Sequence, residues 1–297
     1  MHNLSDLEHF LVSEEIMARA YSLSTADERA WMKKQIAHLC ADFAPKGLQA
    51  REETRRSNDF HSSLKRSGPL EFTGLILDKD LPAWNKILAL LVPAVMYKAS
   101  RIGVFIQDTD PEALPRELLT ALELSGIEEI YCLKSKDLLQ ALPALEQDTR
   151  SAFFHFGTKP LEQSGQENRI NWLYGQGTTL NLLSGSVLKA GLWAGEDFSW
   201  NWKILTWANP DVTFMAAGEN AWQAPQDFEL LTMNREDFLN LDMDVFYGPV
   251  EDFGRSRAFL GLSPGMEACW VWPGLDSSFF TVRRKFWGDL SKSESLT

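Results

Sequence analysis

The sequence predicts an α/β protein: a Rossmann-like, largely parallel sheet flanked by helices, with an N-terminal helical arm and a Trp-rich, loop-rich second half. Three observations carry this expectation. Short apolar runs alternate with longer amphipathic segments between residues 72 and 156, which is the order of strands joined by helical crossovers. Helix punctuation falls between those segments, with Asp110-Pro111 at a start and Gly126 at a stop. Finally, 297 residues of which 44% are hydrophobic are enough to bury a sizeable core.

Residues 1–70 read as a helical arm and linker. Thr25 with Glu28 three residues on forms a capping box, and Met32, Ile36, Leu39, Cys40 and Phe43 follow at helical spacing. That apolar face must pack either on the main body or on a partner subunit, which leaves room for a homo-oligomer. Residues 46–70 are charged and poor in large apolar side chains, so they read as a linker or an exposed helix. Their basic residues Arg51, Arg55, Arg56, Lys65 and Arg66 form either a solvated helix face or an anion-binding patch.

Residues 71–160 read as the Rossmann-like core. Phe72–Leu77 is a short apolar run suited to a buried strand. Trp84, Ile87, Leu88, Leu91 and Val95 make a helix face, and Leu90 and Val92 widen it until most of the circumference is apolar, so that helix is expected to lie deep. Arg101–Gln107, Glu128–Leu133 and Ser151–Phe156 are the next strands. The segment carrying Leu114, Leu118 and Leu122 and the segment carrying Leu138, Leu139 and Leu142 are the helices between them. Strands joined this way are expected to run parallel.

Residues 161–297 read as the remainder of the same domain, completing the sheet with a loop-rich layer, or as a second, smaller domain. Nine of the 11 tryptophans lie between Trp172 and Trp287. Lys203–Trp207, Val212–Ala216, Ala268–Trp272 and Ser278–Val282 are strand candidates, and Arg235–Leu241 is a helix candidate. Trp200 and Trp202 would share one face of a strand. With Trp193 and Trp207 they form either a stacking platform or a tryptophan-rich core or interface.

The composition also excludes functions. A net charge of −12 repels phosphate backbones, which argues against general nucleic-acid binding. No run of 18 apolar residues offers a membrane span, and the N-terminus has no secretory pattern. Cys40, Cys132 and Cys269 are far apart and odd in number, which fits a reduced, cytoplasmic compartment without a disulfide framework or zinc cluster.

Gly157-Thr158-Lys159 follows the last parallel strand and is the leading candidate for a cofactor-binding loop. Ligands of open α/β sheets bind at the carboxyl ends of the strands. There glycine lets backbone approach, threonine hydrogen-bonds and lysine supplies positive charge. Tyr174-Gly-Gln-Gly177-Thr178-Thr179 is a weaker candidate that lacks the third glycine of a dinucleotide fingerprint and the lysine of a P-loop. Glu196 with Asp197, and Asp242 with Asp244, read as solvated carboxylates. Arg283-Arg284-Lys285 is either an anion contact or a partner for surface acids.

The runs Leu88-Ala-Leu-Leu-Val-Pro93-Ala-Val, Arg101-Ile-Gly-Val-Phe-Ile and Leu118–Tyr131 resemble the cofactor-binding region of the aldehyde dehydrogenase and histidinol dehydrogenase superfamily. So does Phe153-Phe-His-Phe-Gly157-Thr158. The resemblance spans residues 72–158. It implies a nucleotide or small-metabolite ligand, NAD or NADP among them, and, for an enzyme, an NAD(P)-dependent oxidoreductase. The departures are specific. Asp78–Pro82 holds no glycine where histidinol dehydrogenases have a Pro-Gly-Gly turn, the zinc-binding motif is missing, and no histidine follows His155. The lone late cysteine, Cys269, sits in an apolar run and reads as a buried hydrophobe. No catalytic residue and no metal ligand is identified. The alternative is a non-catalytic interaction or ligand-binding protein that uses its Trp-rich half.

Overall fold

The computed structural model describes residues 4–44, 52–58, 61–79, 81–147, 151–156 and 188–288. After a 3-10 turn at Leu4–Phe10 come α1 (Glu14–Leu23) and α2 (Ala26–Asp42). The expected capping box is present: the Glu28 amide donates to the Thr25 hydroxyl, and the Thr25 amide donates to the Glu28 carboxylate. These helices are no free arm. Met17, Met32, Leu39 and Phe43 are buried in the main core. Gln35 pairs with residue 270 like a strand neighbour, donating to its carbonyl at 2.7 Å and accepting from its amide at 3.0 Å.

Residues 52–58 and 61–69 correct the linker expectation. They form the antiparallel strands β1 (Glu52–Asn58) and β2 (His61–Pro69). Their polar sequence gives no apolar alternation from which a hairpin could be read.

The first parallel sheet contains β3 (Phe72–Leu77), β4 (Arg101–Gln107), β5 (Glu129–Leu133) and β6 (Ser151–Phe156), in the order β5-β4-β3-β6. Every neighbouring pair is parallel. Side chains alternate between two apolar layers, as the period of a strand requires. Leu75, Val104, Ile130 and Phe154 face one layer, while Ile76, Phe105, Tyr131 and Phe153 face the other. On the first face lie α3 (Trp84–Met96) and α4 (Arg116–Leu124), and on the second lies α5 (Ser135–Gln147). Helix α3 is buried almost all round, as its wide apolar circumference predicts. The helix expected from residue 111 begins as a 3-10 turn at Pro111–Ala113, capped by Asp110, and Pro115 then starts α4. Gly126 ends it at φ +73°, a conformation glycine adopts without a Cβ penalty.

Among the described residues the second half adds no strand to that sheet. It builds its own five-stranded parallel sheet from β7 (Leu188–Trp193), β8 (Val212–Ala217), β9 (Glu229–Leu230), β10 (Val245–Tyr247) and β11 (Leu260–Leu262), in the order β11-β10-β7-β8-β9. The segment at residues 203–207 is helical, within α6 (Trp202–Ala208), because Asn201 caps it and Ile204, Leu205 and Ala208 bury one face. Trp200 and Trp202 therefore share no strand. Residues 268–272 lie outside strands, their apolar side chains filling the space between the sheets. Helix α7 (Arg235–Leu239) is shorter than expected. Residues 277–280 form a 3-10 turn that leads into β12 (Thr281–Gly288), which joins the hairpin as a three-stranded sheet in the order β1-β2-β12. One apolar cluster runs from the first sheet through α2 and α3 to Ala190, Phe214, Val245 and Leu262 of the second. Among the described residues no helix is long and apolar enough to cross a membrane.

Candidate functional site

The first sheet contains a topological switch. The chain starts at β3, moves to β4 and β5 on one side, then crosses the opposite face to place β6 on the other side. The connections leaving the carboxyl ends of β3 and β5 thus run on opposite faces of the sheet. A crevice opens at such a point, and open α/β sheets bind ligands there.

Three polar side chains meet at this edge. Asp78 is the first residue beyond β3, Gln107 ends β4, and His155 is next to last in β6. All three fall on the α5 side by strand alternation. Asp78 Oδ1 accepts from Gln107 Nε2 at 2.9 Å and lies 3.0 Å from His155 Nε2. A carboxylate carries no proton, so His155 donates through Nε2. Gln107 and His155 are buried, whereas the Asp78 side chain keeps 23% of its surface open. Its Oδ2 accepts no hydrogen bond from any described residue. Backbone fixes the residue as well, since the Asp78 amide donates to the Phe156 carbonyl at 3.0 Å. One carboxylate oxygen is thus held by two donors among the described residues, on a side chain that is partly exposed.

The neighbouring loops are clasped to the same edge. Asp108 adopts φ +51°, and its carboxylate accepts from the amide and hydroxyl of Ser135, capping α5 from another loop. Thr109 donates to the Gln107 carbonyl. Cys132, near the end of β5, is buried, and burial followed by the Asp110 charge pushes its thiol up to about 11. Such a thiol is a packing group at neutral pH.

Gly157, Thr158 and Lys159 lie outside the described residues, as does the run from Tyr174 to Thr179. Asp78, Gln107 and His155 are not among the site residues that the sequence predicts. Their signal is slight: each is a polar residue at the end of an apolar strand, and nothing in the sequence says that three strands bring them together.

The carboxyl ends of β7 and β8, with the segment after β9, form a second edge. An open cleft of about 650 Å³ lies there, lined by Trp193, Gly195, Glu196, Gly218, Glu219 and Met233 among others. Gly218 is required at φ +105°, because a Cβ would stand 2.6 Å from the Ala194 carbonyl oxygen. Glu196 and Asp197 are exposed, as expected of solvated carboxylates. The tryptophans nearby are packing groups and no open platform. Trp193 and Trp200 are buried, with Trp200 Nε1 donating to the Trp193 carbonyl, and Trp207 packs on Trp84.

Between the sheets runs a buried polar seam. Lys86, 1% exposed, pairs with Asp211 at 2.6 Å and sits 4.4 Å from the Trp270 ring centroid. Burial lowers its pKa, against the opposing pull of Asp211. Asn85 donates to Asn209 at 3.1 Å. Cys269 lies beside this seam, 3% exposed, and burial is the main cause that raises its thiol to about 11. Among the described residues no three His, Cys, Asp or Glu side chains converge to hold a metal ion, so those residues do not fit a zinc centre.

No protein-family model matches the chain, and no curated protein matches it in sequence. Solved structures do match in shape. Histidinol dehydrogenase from Elizabethkingia anophelis superposes with a TM-score of 0.54 at 12% identity, over 95% of this chain and 77% of that one. An NAD-dependent benzaldehyde dehydrogenase from Corynebacterium glutamicum gives 0.48 at 8% identity, over 92% and 81%. Succinate-semialdehyde dehydrogenase from Burkholderia pseudomallei gives 0.46 at 10%, over 92% and 84%. At such identities the likeness is one of fold. The resemblance carried by residues 72–158 extends over nearly the whole chain, which has a histidinol-dehydrogenase-like α/β fold.

Proposed function

We propose that this protein binds a nucleotide, NAD or NADP in the first instance, at the carboxyl edge of its first parallel sheet. The observation that carries the reading is Asp78: a carboxylate at the switch point with Oδ1 anchored by Gln107 and His155 and a side chain that is 23% exposed. An anchored carboxylate is pre-organised to accept from a ribose hydroxyl, since its ordering cost is already met by the fold. The loop Gly157-Thr158-Lys159 follows β6 directly in sequence, and Lys159 would supply the charge for a phosphate. If the protein is an enzyme, it is an NAD(P)-dependent oxidoreductase. Neither Cys132 nor Cys269 serves as its nucleophile, because burial holds both thiols protonated. Three free cysteines agree with a cytoplasmic setting.

Calorimetric titration with NAD, NADP and AMP tests the reading. Asp78→Ala should weaken the nucleotide that binds by about 1–3 kcal/mol, the usual cost of removing one partner of a charged hydrogen bond. Lys159→Ala should do the same for a phosphate-bearing ligand and leave adenosine unaffected. Nucleotide affinity that is unchanged in both variants places the site elsewhere, and absence of binding by the wild type refutes the reading.

A further inference from the structure

The second sheet repeats the switch of the first. Its chain starts at β7, moves through β8 to β9 on one side, then returns to place β10 and β11 on the other. The α6 connection after β7 packs on the face between the sheets, and the α7 connection before β10 packs on the opposite face. A ligand crevice is expected outside the carboxyl ends of strands arranged in this way. The cleft of about 650 Å³ lies there, and β7 contributes Trp193 to its wall.

Two kinds of polar group reach this cleft. The first is a donor. Trp193 is 7% exposed and is fixed against Phe238, with ring centroids 5.7 Å apart. Its Nε1 donates to no described residue, yet that atom still touches solvent. The indole N–H is thus held at the cleft with no acceptor among the described residues. Gly195 keeps it uncovered, since a Cβ there would stand 3.2 Å from Nε1. The second kind is an acceptor. Glu196, Asp197 and Glu219 are exposed in the lining and ion-paired to no described residue. The guanidinium of the lining, on Arg235, is taken up by Glu251 and Asp252.

Hydrogen-bonding chemistry selects among ligands for such a lining. An ammonium group satisfies the carboxylates but cannot accept from the indole. A phosphate accepts from the indole but meets three negative charges. A hydroxyl group both accepts and donates. We propose that the cleft at the carboxyl edge of the second sheet binds an uncharged polyhydroxylated ligand, a sugar. The Trp193 N–H donates to one hydroxyl, and the carboxylates of Glu219 and Glu196 accept from its neighbours. The inference is independent of nucleotide binding at the first sheet.

Titration of the full chain with D-ribose and with D-glucose, followed through the indole N–H resonances by NMR, tests it. Trp193 is identified as the resonance lost in Trp193→Phe, or displaced in Gly195→Ala should the first variant not fold. The expected result is a saturable shift of that resonance with at least one of the two sugars. Glu219→Gln, a change at the surface, should weaken that sugar at least tenfold. Asp78→Ala should leave its affinity unchanged, which separates this cleft from the edge of the first sheet. A Trp193 resonance unmoved by both sugars overturns the proposal. So does an affinity indifferent to Glu219→Gln, or a resonance that responds to spermidine or inorganic phosphate and to neither sugar.

Discussion

Gly74 carries no side chain because Phe153 occupies the space. A Cβ there would stand 2.3 Å and 2.5 Å from two carbons of that ring, which is itself buried against Phe72. Neither residue can move without disturbing the central strands. Gly74→Ala should therefore cost about 1–3 kcal/mol, the range for overpacking a filled core, as read by urea unfolding. Adding Phe153→Leu should return part of that loss, whereas strictly additive losses would mean that the two sites do not compete for space. The thiols give a residue-scale prediction of opposite character. Cys132 and Cys269 are raised from 9.0 to about 11 in the folded protein. Between those values the unfolded chain has released protons that the folded one retains. Their contribution is complete below pH 9 and is lost as pH rises towards 11. Stability measured across that interval should fall, and the fall should be shallower in Cys132→Ala/Cys269→Ala. Native Cys269 should also react with iodoacetamide far more slowly than a free thiol at neutral pH.

At the scale of elements, α3 depends on an interaction outside itself. No side chain caps its first turn, and the Ala83 amide donates instead to Asp211 Oδ2, while Lys86 Nζ takes Oδ1. Asp211 lies just before β8, so one carboxylate ties the start of α3 to the second sheet. Asp211→Ala would leave the Lys86 ammonium buried without its partner, and the loss should be about 3–5 kcal/mol. Lys86→Met keeps the volume against Trp270 and leaves Asp211 partly solvated, so it should cost markedly less. Thermal unfolding of the pair checks the order, and equal losses would mean that the cost comes from losing the ion pair itself and not from leaving a buried ammonium unpaired. The elements around α3 are legible in the sequence because burial on both faces leaves strong apolar runs separated by capping residues. Residues 203–207 misled because Ile204 and Trp207 favour strands, whereas Asn201 and the spacing of the buried side chains decided for helix. The β1-β2 hairpin left no periodic signal at all. The Asp78, Gln107 and His155 cluster was illegible for another reason: it exists only through strand order, which no single segment encodes.

At the scale of the whole molecule, the N-terminal helices belong to the same core as the two sheets. Met32 and Leu39 of α2 share one apolar cluster with α3 and both sheets, and the Gln35 side chain supplies the hydrogen bonds of a missing strand neighbour at residue 270. Helix α1 adds Met17 and Ala20, and Arg116 of α4 reaches back to Glu28 and to the Leu23 carbonyl. Fully burying one large apolar side chain contributes about 1.5–3 kcal/mol. Met17, Met32, Leu39 and Phe43 together are thus worth on the order of 6–12 kcal/mol. The net stability of a folded domain is only about 5–15 kcal/mol. A chain starting at residue 45 should therefore fail to unfold cooperatively and should bind a hydrophobic dye in buffer, because α3 would lose the cover of α2. The milder Gln35→Ala should keep the fold but lower the unfolding midpoint, since it strands the buried amide and carbonyl of Trp270 without partners. A truncated chain that melts as sharply as the full one would show that the sheets are sealed without the helices, and the view of a single shared core would have to be given up.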